Sequence, residues 1–254
     1  MVPYNRNAVF SRFSASADSY NAAATAQEQV ARLLALRLGN CHRVSSILDV
    51  GCGTGLLTRR LRALFPEARI HAVDAAGRMV AEAQRRLGHD GNVTWETCDA
   101  RSLRFRGCYP MIVSSAALHW MVPLTDTMAH LASGLAQEGQ FIAAMMVDGT
   151  LAELQTARRR VAPAKPLPVE LPSAAKAKEA VRDAGLCIHD DAETSINVNY
   201  GSVLALLRSL HATGVTSHSG SGHSLLTRSE LNRLFDAYHE IGGLPSGGVR
   251  ATYR

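Results

Sequence analysis

The 254-residue sequence lacks the long apolar segment that a membrane-spanning helix requires. No stretch approaches the roughly 20 apolar residues that cross a bilayer, and residues 1–20 lack the apolar run of a secretion signal. Both absences predict a cytoplasmic protein with no membrane partner. With 46% hydrophobic and 19% charged residues, the chain still has enough apolar material for one sizeable core, which excludes a disordered chain.

Cysteine is sparse and scattered. The five cysteines, an odd number, form no Cys-x-x-Cys pair and have no histidine at metal-ligand spacing. We therefore predict reduced thiols, as is usual in cytosolic proteins, and no metal site.

Lysine is scarce as well, because 24 of the 27 basic residues are arginine. The net charge of +5 is spread along the chain and forms no basic tail or stripe. This distribution argues against nucleic acid as the main partner. Arginine carries a planar fork of donors that suits recognition of a carboxylate.

Through residues 1–150, short apolar runs alternate with helical patterns, which predicts a parallel sheet covered by helices. The five expected strands are 45–50, 68–73, 92–96, 111–115 and 140–146. The expected helices, with apolar residues at three- and four-residue spacing, are 22–38, 56–65, 77–87 and 123–135.

Beyond residue 150 the pattern changes. An extended or looping path is predicted from Arg158 onward, because dense proline excludes regular structure. The segment contains Arg158–Arg160 followed by Pro163, Pro166, Pro168 and Pro172. Helical patterns return at 174–184, 202–211 and 228–238, with a strand expected at 194–200. The composition of Ser217–His223 predicts a flexible loop.

The change in pattern predicts three parts of the chain. Residues 1–150 form the sheet core, preceded by an N-terminal helix. Residues 151–230 form a mostly helical cap inserted beside the sheet, with one strand. Residues 231–254 return to the core, and their last strand is expected to be short or missing.

The strongest chemical signal is Asp49-Val50-Gly51-Cys52-Gly53-Thr54-Gly55, between the first strand and the next helix. Glycines at such a turn let the backbone bend tightly and approach a ligand. A nicotinamide-type G-x-G-x-x-G motif would need glycine where Leu56 stands. The spacing instead resembles the first motif of class I S-adenosylmethionine-dependent methyltransferases. The resemblance implies an α/β fold with a Rossmann-like sheet and helices on both faces.

Three further features fall where that class places its cofactor contacts. Asp74 ends the second strand, where a carboxylate can accept both ribose hydroxyl hydrogens. Asp99 follows the third strand, where the class has an acid near the adenine amino group. Ser114 to Trp120 leave the fourth strand, the usual floor of the active site. Each acid has an alternative role as a helix N-cap, but their joint order favours cofactor binding.

The resemblance therefore implies binding of S-adenosylmethionine, which leaves as S-adenosylhomocysteine. The residues that correspond to its cofactor site are Asp49, Gly51, Cys52, Gly53, Gly55, Asp74, Ala75, Met79, Asp99, Ala100 and Ser115.

The segment after the fourth strand bears on the methyl acceptor. An adenine amino acceptor usually comes with Asn/Asp-Pro-Pro-Tyr/Phe there, and a pyrimidine carbon needs a cysteine; Ser-Ser-Ala-Ala-Leu-His-Trp offers neither. Catechol oxygens generally need a metal, for which the sequence has no ligand cluster. A carboxylate is already ionised at neutral pH and needs only groups that hold and orient it. The pattern favours a carboxylate acceptor.

Segments near both ends resemble the malonyl-acyl-carrier-protein O-methyltransferases of biotin synthesis. Phe13 to Tyr20, followed by Ala24 and Gln27, is similar to the opening helix of that family. Two later segments are similar to the C-terminal stretches of that family: 206–215, Leu-Leu-Arg-Ser-Leu-His-Ala-Thr-Gly-Val, and 226–231, Leu-Thr-Arg-Ser-Glu-Leu. The resemblance implies methylation of the free carboxylate of a malonyl thioester, carried by acyl carrier protein or coenzyme A.

Three residues receive hypothetical roles from this resemblance. Tyr20 closes over the reacting centre, and Arg208 anchors the malonyl carboxylate. The alternative for Arg208 is a helix cap or surface ion pair. His119 lies beside the transferred methyl group, and we assign it no role as a base because a carboxylate needs none.

Two other functions stay open. Trans-aconitate-type methyltransferases have a similar Ala-Leu-His-Trp segment after the fourth strand, so a small free carboxylate is an alternative acceptor. A protein that binds S-adenosylmethionine without catalysis, as a partner of another enzyme, would also keep the glycine loop.

Overall fold

The computed structural model describes residues 6–39, 44–105, 109–165, 170–215 and 225–254. Five parallel strands form one sheet in the order β3-β2-β1-β4-β5. Their bounds are β1 Ser46–Val50, β2 Arg69–Asp74, β3 Val93–Thr97, β4 Tyr109–Ser115 and β5 Leu135–Ala144. The strand order reverses between β1 and β4, and ligands of such sheets bind beyond the carboxyl ends of the strands at that point.

Helices cover both faces of this sheet, which confirms the predicted α/β class. Successive strand side chains point to opposite faces, so Ile47 packs with α2, α3 and α4, while Leu48 packs with α5 and α7. The helices are α1 Arg6–Ala23, α2 Thr25–Leu38, α3 Leu56–Leu64, α4 Gly77–Leu87, α5 Leu124–Ala132, α6 Ala152–Val161, α7 Ala174–Asp183, α8 Val203–Ala212 and α9 Arg228–Gly242. Among the residues described, no helix is long and apolar enough to cross a membrane.

A second, two-stranded antiparallel sheet joins β6, Ile196–Tyr200, to β7, Val249–Tyr253. The last strand, expected to be short or missing, has five residues. It pairs with β6 and packs in the second core instead of returning to the parallel sheet as expected for residues 231–254. It attaches to the segment after β5, because the amide of Val147 donates to the Arg254 carbonyl at 3.0 Å. Helices α6, α8 and α9 bury their apolar sides against this sheet in a core of their own.

Helix α6 corrects the prediction of an extended path from Arg158. The helix carries Arg158–Arg160 and ends at Val161, two residues before Pro163. Alanine, glutamate, leucine, glutamine and arginine, which fill most of it, are strong helix formers, so the prolines end the helix without affecting what precedes them. The predicted loop at 217–223 lies outside the described residues.

Helix α1 connects the cap to the parallel sheet. Its Ser19 hydroxyl donates to the Ala212 carbonyl of α8 at 3.1 Å, and the Ser209 hydroxyl of α8 donates to the Ala23 carbonyl at 3.0 Å. On the other side, Ala17 packs against α4. The helix is thereby held above the carboxyl ends of β1 and β2.

Candidate active site

The loop after β1 is shaped by glycines in the left-handed region of backbone conformation. Gly51 has φ 69° and Gly53 has φ 54°, values that a residue with a Cβ atom rarely adopts. A Cβ atom on Gly51 would collide with the Ala117 side chain, whereas one on Gly53 would meet nothing within 4 Å. Gly51 therefore allows the loop to approach the β4 segment, and Gly53 leaves open space beside the backbone.

The Asp74 carboxylate is fixed at the end of β2 by two backbone donors. Its Oδ2 accepts from the amide of Gly53 at 2.9 Å, and its Oδ1 accepts from the amide of Ala76 at 2.8 Å. Burial raises the pKa of Asp74, and these two hydrogen bonds oppose that effect. An ionised carboxylate offers about four acceptor positions, so about two stay available. The residue fits a ligand with two adjacent hydroxyl groups, such as a ribose.

A cavity of about 680 Å³, partly open to solvent, lies between α1 and the carboxyl ends of the parallel strands. The structure brings together here nine residues singled out from the sequence: Tyr20, Gly51, Gly53, Asp74, Ala75, Met79, Asp99, Ala100 and Ser115.

Three residues expected at the cofactor site, Asp49, Cys52 and Gly55, do not line the cavity. Asp49 is 1% exposed, and its Oδ2 accepts from the Thr58 hydroxyl at 2.6 Å. Burial raises its pKa to about 7, the Thr58 bond opposes this, and the charge of Asp74 adds to it. The carbonyl of Cys52 accepts from the amide of Gly55 at 2.9 Å. Within the described structure, Asp49 lies in β1 and supports the loop, while Cys52 and Gly55 shape its backbone.

His119 and Arg208 also lie outside the cavity lining. His119 belongs to the short helical turn Leu118–Trp120, and its Nδ1 accepts from the amide of Met146 at 3.3 Å. Desolvation lowers the pKa of His119 to about 3, so the imidazole is neutral near pH 7. Arg208 is exposed on α8, and its role as an anchor stays a prediction.

A second carboxylate, Asp99, lines the cavity at the end of β3. Burial on its own would raise the pKa of Asp99, but hydrogen bonds from the side chain and backbone of Arg101 lower it. The guanidinium of Arg6 lies 4.0 Å from Oδ2. Asp99 is therefore an ionised acceptor facing the cavity.

Aromatic side chains roof the cavity, and of these Phe10 has no role predicted from the sequence. Phe10, Phe13 and Tyr20 come from α1, and Trp120 comes from the segment after β4. The rings of Phe13 and Trp120 meet edge to face, with centroids 5.5 Å apart. Burial, and then the charge of Asp74, raise the pKa of Tyr20, so its phenol stays neutral.

The remaining polar groups show what the cavity can bind. Burial raises the pKa of the Cys98 thiol in the lining to about 12, so the thiol is neutral. Among the described residues, no group of three or more His, Cys, Asp or Glu is arranged to hold a metal ion. Two carboxylates, open glycine backbone and aromatic walls form a site suited to a nucleoside with a positively charged substituent.

Comparison with known proteins agrees with this architecture. Residues 47–139 match a family model described as a methyltransferase domain. The crystal structure of the YcgJ protein from Bacillus subtilis superposes with a TM-score of 0.61 at 16% sequence identity, covering 89% of this chain and 94% of that one. The similarity extends the shared fold beyond the matched domain.

The sheet order, the glycine loop and Asp74 define a class I S-adenosylmethionine-dependent methyltransferase. A malonyl-[acyl-carrier protein] O-methyltransferase from Geobacter sulfurreducens is 30% identical over 263 residues, which cover 98% of this chain and 96% of that protein. The chain belongs to the family of malonyl-[acyl-carrier protein] O-methyltransferases. A relative of the same name from Anoxybacillus flavithermus is 36% identical, over 57% of this chain and only 55% of that protein.

Proposed function

We propose that this enzyme methylates the free carboxylate of a malonyl thioester, carried by acyl carrier protein, as an early step of biotin synthesis. The observation that carries the proposal is the extent of the similarity to the Geobacter protein. It covers 98% of the chain, whereas the general methyltransferase model covers only residues 47–139. The similarity therefore includes α6 to α9, β6 and β7, which lie outside the general methyltransferase domain. We expect these elements to determine which acceptor is methylated.

The residues of the cavity fit the cofactor of this reaction. When bound, S-adenosylmethionine supplies an electrophilic methyl group, which passes to a carboxylate oxygen to give a methyl ester and S-adenosylhomocysteine. We assign Asp74 to the ribose hydroxyls and Asp99 to the adenine amino group. The open side of Gly53 accommodates the cofactor chain next to the backbone. Phe10, Phe13 and Tyr20 cover the site and exclude water, which would compete with the acceptor.

The chemistry of the lining supports a carboxylate acceptor. Tyr20 and Cys98, which line the cavity, are neutral acids, and neutral His119 lies behind the lining with its Nδ1 occupied by the amide of Met146. None of the three is arranged to remove a proton from the acceptor. A carboxylate has no proton to lose at neutral pH, so the chain's task is to align it and keep the site dry.

We infer that the partner is acyl carrier protein and that the reaction takes place in the cytoplasm. The net charge of +5 favours encounter with an acidic carrier. Cys52, Cys98 and Cys187 are unpaired thiols in the structure, as is usual in a reducing compartment.

A methyl-transfer assay with labelled S-adenosylmethionine tests the proposal. The acceptors are malonyl-acyl carrier protein, malonyl-coenzyme A, free trans-aconitate and RNA. We expect a base-labile methyl ester on the malonyl thioesters and none on RNA. Methylation of trans-aconitate but not of the thioesters would overturn the assignment, and cofactor binding without turnover on any acceptor would identify a non-catalytic protein.

Complementation adds a test inside the cell. A biotin-requiring strain that lacks this methylation step is expected to grow without biotin when it expresses the chain. An Asp74→Ala variant serves as the matched control, since it loses the assigned ribose contact. Failure of the wild-type chain at normal expression would contradict the place in biotin synthesis.

A further inference from the structure

We propose that Arg101 is a positioning residue that makes the site selective for a cofactor whose purine carries an amino group, acting through Asp99. The proposal deepens the proposed function, because it rests on the assignment of the cavity to S-adenosylmethionine. It does not depend on which acceptor is methylated.

Arg101 holds the Asp99 carboxylate with three hydrogen bonds. Its amide and Nε donate to Oδ1 at 3.1 and 2.9 Å, and its Nη2 donates to Oδ2 at 2.7 Å. The two side-chain bonds form the bidentate arrangement in which a guanidinium fixes both the position and the plane of a carboxylate. Asp99 therefore has one orientation toward the cavity that it lines.

The guanidinium is itself held from its other side. Its Nη1 donates to the backbone carbonyl of Val122 at 2.9 Å, just after Trp120 and Met121, which line the same cavity. Each of the three guanidinium nitrogens of Arg101 thus has an acceptor: Nε and Nη2 donate to the carboxylate, and Nη1 donates to the loop after β4. The side chain cannot rotate away from Asp99 without losing the Val122 bond.

Burial separates this pair from the ion pairs on the surface. The side chains of Arg101 and Asp99 are 11% and 22% exposed, whereas those of the surface pair Arg78 and Asp18 are 57% and 79% exposed. Exposed pairs are screened and contribute little, but a partly buried carboxylate that lost its partner would be both mobile and costly to keep ionised. Arg6, at 4.0 Å and 58% exposed, is a poor substitute.

The hydrogen-bond count leaves a defined vacancy on Asp99. Of about four acceptor positions on a carboxylate, three are taken by Arg101. The remaining one suits a single N–H donor at the edge of the ligand base. A purine with a carbonyl oxygen in place of its amino group would present an acceptor to this carboxylate, and the two would repel each other.

Calorimetric binding of two probes tests the proposal. The probes are S-adenosylhomocysteine and S-inosylhomocysteine. The purine of the first carries an amino group, and the purine of the second carries a carbonyl oxygen at the same position. We expect the wild-type protein to bind the adenosyl probe at least about 10-fold more tightly, the scale of a hydrogen bond to a charged group. In Arg101→Gln this ratio is expected to fall toward one, chiefly through weaker binding of the adenosyl probe.

Two further variants give the experiment its controls. Arg101→Lys keeps the charge without the fork and is expected to show an intermediate ratio, while Arg78→Gln removes an exposed arginine and leaves the ratio unchanged. Asp99→Asn is expected to lower the ratio as Arg101→Gln does, and the double variant to lower it no further, because both act on one contact.

The outcomes separate the proposal from other failures. Melting curves verify that Arg101→Gln and Arg101→Lys are folded. If both variants bound the two probes more weakly by the same factor, Arg101 would have no role in selectivity. Additive effects of Arg101→Gln and Asp99→Asn in the double variant would overturn the proposal as well. The assay contains no methyl acceptor, so failure of the malonyl-thioester assignment would not alter it. Wild-type protein that bound neither probe would contradict the cofactor site.

Discussion

Asp74 is the residue on which cofactor binding is expected to depend most. An Asp74→Asn variant keeps the shape but places an amide NH₂ against one of the backbone donors, Gly53 or Ala76, that now bind the two oxygens. We expect a loss of about 10- to 100-fold in affinity for S-adenosylhomocysteine, measured by calorimetry, because the amide has one acceptor oxygen fewer for the assigned ribose hydroxyls. Asp236→Asn, at an exposed position on α9, is the control. Unchanged affinity in Asp74→Asn would contradict the assignment to the ribose.

His119 is expected to make the protein less stable in mild acid. Its pKa is lowered to about 3 by desolvation, whereas the unfolded chain binds a proton near pH 6.5. The unfolded state therefore binds more protons as the pH falls from about 6.5 toward 3, and stability is lost across that range at about 1 kcal/mol per pH unit. Above pH 7 the effect is absent.

Urea unfolding of wild-type protein and His119→Gln at several pH values between 7.5 and 4.5 measures this contribution. The difference between the two proteins isolates His119 from Asp49, whose raised pKa of about 7 acts in the opposite direction, with stability lost as the pH rises. The variant is expected to show the shallower loss in acid. Parallel pH profiles would mean that His119 is free to take up a proton in the folded state.

Residue by residue, the sequence predicts the polar part of the site better than its apolar part. Asp74 and Asp99 are identifiable because acids that end consecutive parallel strands meet at one edge of the sheet. Phe10 is not, because an aromatic residue on a helix is as typical of a core as of a ligand site. Arg101 carries no sequence signal of its own, since its role arises from a side chain that folds back on Asp99.

At the scale of elements, α1 is expected to control access to the cavity. It supplies Phe10, Phe13 and Tyr20 to the lining and is attached to the glycine loop, where the Thr54 hydroxyl donates to Asn21. Phe13→Ala removes the edge-to-face contact with Trp120, which opens the roof and admits water. We expect the KM for the acceptor to rise several-fold and kcat to fall, measured by initial rates.

Leu36→Ala, at an exposed position on α2, is the matched control for this loss of an apolar side chain. Its kinetic constants are expected to equal those of the wild-type protein. If Phe13→Ala behaved like Leu36→Ala, α1 would be a structural support and no part of the active site.

The elements differ in how far the sequence specifies them. Strands β1, β2 and β4 are predicted well because their central residues are buried, which produces short, almost continuous apolar runs. Strand β5 is mostly half-buried or exposed, and it begins at Leu135, before the predicted start at residue 140. Helix α6 is difficult to predict because its arginine-rich end is followed closely by the proline segment. Pro163 ends the helix only after Val161. Strand β7 is difficult to predict because its partner β6 lies 49 residues earlier at the closest register pair, Tyr200 and Val249, and no local pattern predicts a pairing at that distance.

The whole molecule combines two cores with α1 between them. One core is formed by the parallel sheet and its helices, the other by β6, β7, α6, α8 and α9. The cavity lies where α1 crosses the carboxyl ends of the sheet, so the cap reaches the site through α1 and its contacts with α8. This arrangement explains why the glycine loop is recognisable from local sequence, whereas the rest of the cavity lining comes from distant segments of the chain.

The net charge of the molecule gives a prediction about its encounter with substrate. A chain of net charge +5 attracts an acidic carrier protein over several ångströms of solvent, and added salt screens this attraction. We expect kcat/KM for malonyl-acyl carrier protein to fall about 10-fold as salt rises from about 50 to 300 mM, mostly through slower association. Malonyl-pantetheine presents the same reacting carboxylate without the acidic carrier and without the phosphate, so its kcat/KM is expected to change less than about two-fold. An equal salt dependence for both substrates would show that the carrier protein makes no electrostatic contribution to recognition. The positive charge of the chain would then act only on the reacting carboxylate.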